Sequence, residues 1–245
     1  MRMASPKDHY EIFLAERYSW MFGDFDARLD SELARLKSLG IKTIKGGLGV
    51  DPCCGAGTHA IALARLCYSV EAIDFSETLL AELEERRDDL AVNPIPGDML
   101  DAAALVAGPV DVVLCMGDTF VHLQSHGELR RFMSQCAEIL KPGGHLVLSF
   151  RDLCQEAEGL DRFITVRETE QRIMTCFLEY EGLHVKVHDL FYEHENGHWR
   201  LDKSMCRKLR LSLGRAAELS ENAGFAITLK GAERGTAGLV ARRLD

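Results

Sequence analysis

The sequence lacks an apolar run of the roughly 20 residues that a membrane-crossing helix needs. Its first residues, Met1 to Asp8, lack the apolar core of a secretory leader, so no targeting segment and no membrane partner are expected. Positive charge is in short supply. The 29 Lys and Arg are outnumbered by 38 Asp and Glu, for a formal net charge of −9. Phosphate backbones are held by concentrated basic surface, so this balance argues against a nucleic-acid partner. The short cluster Arg207-Lys208-Leu209-Arg210 reads as a solvated strand edge. CxxC pairs are absent, and none of the eight cysteines stands at zinc-ligand spacing from a histidine, so no metal is expected. Scattered thiols of this kind fit a reduced, cytoplasmic protein. Internal repeats and disordered linkers are missing too. The 245 residues are expected to fold as one domain with its own core.

What is present is an alternation of elements. Residues 7–22 read as an amphipathic helix carrying Tyr10, Phe13, Tyr18, Trp20 and Phe22, and a second helix runs from Asp26 to Leu39 and stops at Gly40. A strand-like run covers Ile41 to Val50. Helical spacing follows through Ala60, Leu63, Ala64 and Cys67, then a strand, Val70-Glu71-Ala72-Ile73-Asp74-Phe75. Ser76 suits the N-cap of a helix reaching Asp89. Val110 to Met116 is an apolar run of buried-strand type, a helix spans Gly127 to Leu140, Lys141-Pro142-Gly143-Gly144 is a turn, and His145 to Phe150 is the next strand. Strand and helix in alternation imply a parallel sheet covered on both faces.

The pattern then changes. Phe163–Val166, Ile173–Leu178, Val185–Tyr192 and Met205–Leu211 read as strands of an antiparallel insertion, and Asn196-Gly197 is a short hairpin signal. A helix from Gly214 to Ala223 and a hairpin of Ala226–Lys230 with Gly238–Arg242 close the chain.

The most informative stretch is Asp51-Pro52-Cys53-Cys54-Gly55-Ala56-Gly57, where a strand turns into a helix through small residues. Such a turn brings backbone N–H groups close to a ligand. Asp74, about twenty residues on, ends the next strand, where a carboxylate grips ribose hydroxyls. An adenosine-containing cofactor follows. Gly55-x-Gly57-x-x-Ala60 also fits a dinucleotide fingerprint, so this pair alone leaves a nicotinamide-dependent oxidoreductase open.

The order of motifs resembles the class I S-adenosylmethionine (SAM)-dependent methyltransferases. Asp51 to Gly57 resembles their acidic glycine motif, Gly97-Asp98-Met99 the loop that meets the adenine amino group, and Pro142-Gly143-Gly144 the turn before the fifth strand. Cys115-Met116-Gly117-Asp118 and Phe150-Arg151-Asp152 are similar to glycine N-methyltransferase and its small-molecule relatives. The resemblance implies a Rossmann-like, seven-stranded, mostly parallel sheet. Two N-terminal helices (1–40) and the antiparallel insertion (151–211) would form a lid over a SAM-binding core (41–150 and 212–245). It implies SAM as cofactor, a small-molecule acceptor, possibilities for a homo-oligomer left open, and methyl transfer to an amine or amino-acid-like carboxylate.

The resemblance places Tyr18, Arg28, Asp51, Cys53, Cys54, Gly55, Gly57, Asp74, Phe75, Gly97, Asp98, Met99, Cys115, Met116 and Gly117 around the cofactor. Arg28 would meet the methionyl carboxylate. Arg151, Trp20, Tyr180 and Trp199 are the substrate-side candidates, and His122 is the one candidate for accepting a proton. Against the oxidoreductase stand the two leading helices and the lack of a separate substrate domain. A non-catalytic SAM-binding partner subunit is the other alternative, and the full run of cofactor motifs weighs against it.

Overall fold

The computed structural model describes residues 6–233 and 235–245. The leader expectation, which concerns Met1 to Asp8, therefore lies mostly outside the described residues. The first helical run is broken into α1 (Pro6–His9), a π-turn at Tyr10–Leu14, and α2 (Ala15–Phe22). Gly23, at φ +85°, ends it. Helix α3 (Phe25–Ser38) starts where the Asp24 carboxylate accepts from the Ala27 N–H at 2.8 Å. It ends before Gly40, which also takes a positive φ.

The central sheet holds β1 (Gly47–Asp51), β2 (Tyr68–Asp74), β3 (Val92–Pro96), β4 (Val110–Cys115), β5 (Leu140–Arg151), β10 (Phe225–Glu233) and β11 (Thr236–Arg243). Their order is β10-β11-β5-β4-β1-β2-β3. The five strands from β1 to β5 pair in parallel, and β11 runs antiparallel to β5 and to β10. Helices α4 (Thr58–Ala64), α5 (Glu77–Arg86), α6 (Ala102–Leu105), α7 (His126–Ile139) and α8 (Leu213–Asn222) cover the sheet.

Successive side chains of a strand point to opposite faces. In β4, Val112 and Leu114 pack toward α3, α4 and α5, while Val113 and Cys115 pack toward α7 and α8. Both faces are covered, so both sets are apolar, and the run reads as continuous rather than alternating.

Several boundaries differ from the sequence reading. β1 begins at Gly47, not Ile41, because residues 42–45 form a loop that closes through Gly46 at φ +74°. α4 ends at Ala64, and Cys67 is exposed in a left-handed turn at φ +67°. Pro142-Gly143-Gly144 lies inside β5, at a register shift between Val110 and Val112 of the neighbouring strand. It is a bulge within the ladder and not a turn before it.

The insertion is a second sheet of β6 (Phe163–Glu168), β7 (Arg172–Glu181), β8 (His184–Glu195) and β9 (His198–Leu209), in that order and antiparallel. β9 starts seven residues earlier than expected. Its first half is polar and exposed, but the tight turn at Asn196-Gly197 forces it into register with β8.

The inner face of this sheet buries Met174, Cys176, Val185, Val187, Asp189, Phe191 and Cys206. The N-terminal helices pack on it. Phe13 and Leu14 meet Met174 and Phe191. Arg17 donates to Asp202 at 2.6 Å, and Arg167 donates to the carbonyl of Trp20. Among the described residues no helix is long and apolar enough to cross a membrane.

Candidate functional site

The parallel strands end on one edge of the sheet, where the connecting loops leave room for ligands. Two cavities lie there. The first, about 570 Å³, is lined by Gly55, Asp74, Phe75, Gly97, Asp98 and Met99 among others. The second, about 420 Å³, is lined by Arg28, Cys54, Met116, Gly117, Asp118 and Arg151, and by inner-face residues of the second sheet. Tyr10, Tyr18, Cys53, Thr119 and His122 line both and form the wall between them.

Asp74 ends β2. One carboxylate oxygen accepts from the Gly55 N–H at 2.8 Å and the other from the Ser76 N–H at 2.9 Å. Each oxygen keeps a lone pair for a hydroxyl. Burial raises its pKa, and those N–H groups oppose the shift. Asp98 accepts from the Leu100 N–H at 2.8 Å, which fixes the loop after β3. Gly55 sits at φ +52°, and a Cβ there would come 3.3 Å from the Tyr18 hydroxyl. Gly57, at φ +88°, starts α4, and a Cβ there would lie 2.2 Å from Leu83 Cδ1. Both positions therefore need glycine for conformation and for space.

Behind this loop, Asp51 is 1% exposed. One of its oxygens accepts from the Cys53 N–H at 3.4 Å, and the other has no hydrogen-bond partner among the described residues. Burial pushes its pKa up to about 8. Cys53 Sγ lies 3.3 Å from Cys115 Sγ. The hydrogen bond to Cys115 and burial push the Cys53 thiol up, so it is a neutral wall of the site.

Arg28 hydrogen-bonds Tyr18 and lies 3.8 Å over the Phe22 ring. Burial pushes Tyr18 up to about 12, with Arg28 opposing, and burial raises Tyr10 as well. Both phenols are donors at neutral pH. His59 lies 3.6 Å from Glu32 and is pushed down to about 3, by burial first and then by Arg28 and Arg35. His122 is also neutral, driven down by burial, then by Lys208 and His9. Its Nε2 is 3.4 Å from the Tyr10 hydroxyl, and its buried Nδ1 has no partner among the described residues.

Several expected residues lie elsewhere. Trp20 packs edge-on against Phe191 and under Arg167. Tyr180 accepts from the Ala157 N–H and stacks with Arg210. Trp199 is 51% exposed beside His194 at the β8–β9 hairpin. None of the three lines either cavity: Trp20 is taken up at the seam, Tyr180 packs on the inner-face cluster of the second sheet beside Ala157, and Trp199 faces outward. Asp51, Gly57 and Cys115 stand behind the cofactor-side wall and not in it.

The sequence reading also missed residues. Lys208, expected at a solvated edge, is 14% exposed, lines the second cavity and is ion-paired with Asp118. Burial pulls its ammonium down, but Asp118 outweighs that and the net shift is upward. Asp118 also accepts from the Arg151 N–H at 2.9 Å. The alternation of β9 could have shown that Arg207 and Lys208 face opposite ways. Nothing local could have shown that Lys208 meets a residue ninety positions earlier. Tyr10 and His9 join the site from α1 and the π-turn, and had no motif to mark them.

The residues fit SAM. A paired acid for ribose, a second acid beside it, a glycine-lined approach and an orphaned buried carboxylate oxygen are what its nucleoside and ammonium groups require. Residues 50–144 match a family described as a methyltransferase domain. The chain is 27% identical over 154 residues to a glycine/sarcosine N-methyltransferase of Aphanothece halophytica, covering 59% of this chain and 56% of that one. It is 38% identical over 99 residues to a ubiquinone biosynthesis O-methyltransferase of Caulobacter vibrioides, covering 39% and 37%. The chain thus spans about half the length, or less, of these curated relatives. Among solved structures, the CcbJ methyltransferase of Streptomyces caelestis matches with a TM-score of 0.76 at 20% identity, over 96% of this chain and 98% of that one. Residues 50–144 thus carry a methyltransferase domain, and the chain as a whole has the fold of a solved methyltransferase.

Proposed function

We propose that this chain transfers the methyl group of SAM to the amine of a small acceptor that carries a carboxylate. The observation that carries the reading is the pair of cavities meeting at one aromatic wall, acidic on the nucleoside side and holding Arg151 and Lys208 on the other. A similarity to a glycine/sarcosine N-methyltransferase supports an amine acceptor.

When bound, SAM supplies a methyl group already activated by its sulfonium charge. The protein supplies position. Asp74 takes the ribose hydroxyls, Asp98 the adenine amino group, and Phe75 and Met99 the flat faces of the base. Arg28 and Tyr18 donate to the methionyl carboxylate, and Asp51, behind the wall, meets the ammonium through a bridging water. Tyr10 and Tyr18 exclude water at the junction, and their rings tolerate a cation. His122 stands at the same wall as a neutral imidazole with a free ring nitrogen, which can hydrogen-bond the acceptor amine and hold its lone pair toward the methyl group. The guanidinium of Arg151 suits the acceptor carboxylate. Residues 1–40 and 151–211 act as the lid over the core formed by 41–150 and 212–245. The eight free thiols suit a cytoplasmic setting, and the acidic charge suits a small-molecule partner rather than nucleic acid.

Calorimetry with SAM and its demethylated product, followed by turnover of labelled SAM against a panel of amino acids, plain amines and phenols, tests the reading. Arg28→Ala is expected to weaken SAM binding at least about tenfold, about 1.4 kcal/mol. Arg151→Met is expected to raise KM for carboxylate-bearing acceptors and leave SAM affinity unchanged. Absence of SAM binding refutes the cofactor assignment. An unchanged KM in Arg151→Met, or turnover of phenols alone, refutes the acceptor class.

A further inference from the structure

One cluster in the acceptor cavity plays no part in methyl transfer as derived above. His9, Asp189 and Cys206 come from α1, β8 and β9, and are 1%, 6% and 1% exposed. His9 Nε2, an Asp189 oxygen and Cys206 Sγ all lie within 4.8 Å of one another. We infer that these three atoms form a binding site for one divalent cation of the zinc class, with an open coordination position on the acceptor cavity.

The geometry argues for ligation over ordinary pairing. His9 Nε2 is 3.2 Å from Asp189 Oδ2, within ion-pair reach, yet makes no hydrogen bond among the described residues. A nitrogen and an oxygen on one tetrahedral zinc, each bonded at about 2.0–2.1 Å, stand about 3.3 Å apart. The other ring nitrogen, Nδ1, is 2.8 Å from the Ser204 hydroxyl. An outer hydrogen bond of this kind fixes ring orientation and tautomer in a metal-ligating histidine.

The backbone holds the set in place. Asp189 and Ser204 are register partners across β8 and β9, and Cys206 is two residues further along the same inner face. The histidine ring is held against Phe13, 5.6 Å away and stacked.

The charges also balance. On binding, the Cys206 thiol releases its proton to solvent, and the thiolate and the Asp189 carboxylate together neutralise a dication around a neutral imidazole. The nearby Lys208 is already matched by Asp118. A nitrogen, a sulfur and an oxygen ligand suit zinc or cobalt better than magnesium or calcium. Three protein ligands leave a fourth position, and all three residues line the 420 Å³ cavity. An oxygen, nitrogen or sulfur donor on the acceptor can occupy it, which would anchor the acceptor opposite Arg151.

The test uses the full chain, stripped with chelator, held under a non-thiol reductant and titrated with cobalt(II). Wild type is expected to take up one equivalent, with a thiolate-to-cobalt charge-transfer band in the near ultraviolet and strong four-coordinate bands in the visible. Cys206→Ser should abolish the charge-transfer band, and Ser204→Ala should weaken uptake about tenfold or more. Cys176→Ser, whose thiol also lines the cavity, should keep both signals. Circular dichroism without metal checks that each variant folds; if Cys206→Ser does not, Ser204→Ala and His9→Gln carry the test. Substoichiometric uptake by wild type, or a charge-transfer band that survives in Cys206→Ser, overturns the site. Neither outcome depends on SAM binding.

Discussion

Replacing Asp51 by Asn separates the cost of its buried carboxyl from its benefit. The side chain is 1% exposed, one oxygen has no partner, and burial raises its pKa from 3.8 to about 8. Between those values the native state keeps a proton that the unfolded chain has released. Stability contributed by this group is therefore present at acid pH and falls as pH rises toward 8, by about 1.4 kcal/mol per unit. From about pH 5.5 to about pH 7.5 the loss comes to about 2.5 kcal/mol, since the slope flattens near 8. At about 2–4 °C per kcal/mol for a chain of this size, that is roughly 5–10 °C in Tm. Asn has the same shape and cannot ionise. The Tm difference, Asp51→Asn minus wild type, measured without ligand by thermal unfolding across this range, should rise with pH by that amount. Saturating SAM should oppose the trend, because its ammonium gives the wild-type carboxylate the partner that Asn does not provide. A difference that stays flat with pH would refute both the shifted titration and the argument from the orphaned oxygen.

Two further substitutions probe the frame around the site. Gly57→Ala puts a methyl group against Leu83 at a backbone φ of +88°, and should destabilise the chain by more than about 1 kcal/mol in denaturant unfolding; a neutral result would mean the turn relaxes freely. Lys208→Met leaves the half-buried Asp118 without its cation, and should cost about 2 kcal/mol, whereas adding Asp118→Asn should recover most of it; additive losses in the double variant would refute the pairing.

The α/β core was legible because local and global signals agree there. Asp51 to Gly57 combines a strand end, positive-φ glycines and a helix start within seven residues. Asp74 recurs at the spacing a βαβ unit imposes. The boundaries that moved did so for tertiary reasons. His198 to Ser204 has the polarity of a loop, and is a strand because the Asn196-Gly197 turn and β8 make it one. Pro142-Gly143-Gly144 has the composition of a turn and is a bulge held in the ladder by β4. Trp199 was an attractive substrate wall by residue type, but strand alternation turns it outward. Lys208 was set aside by residue type, and the same alternation turns it inward. The proximity of His9, Asp189 and Cys206 was beyond any spacing argument, since nearly two hundred residues separate the first from the last.

The π-turn at Tyr10–Leu14 sets a phase. Each residue of an α-helix turns the chain by about 100° and advances it about 1.5 Å. A π-turn holds one residue more than an α-turn, so deleting a residue there would let the helix run straight from α1 into α2. Everything before the deletion would then swing about 100° around the axis. The imidazole now facing Ser204 and Asp189 would point away from β8 and β9, while Arg17 and its partner Asp202 would stay engaged. The extra residue thus works as an angular offset. It brings His9, before the turn, and Arg17, after it, onto the same sheet, at Ser204 and Asp202.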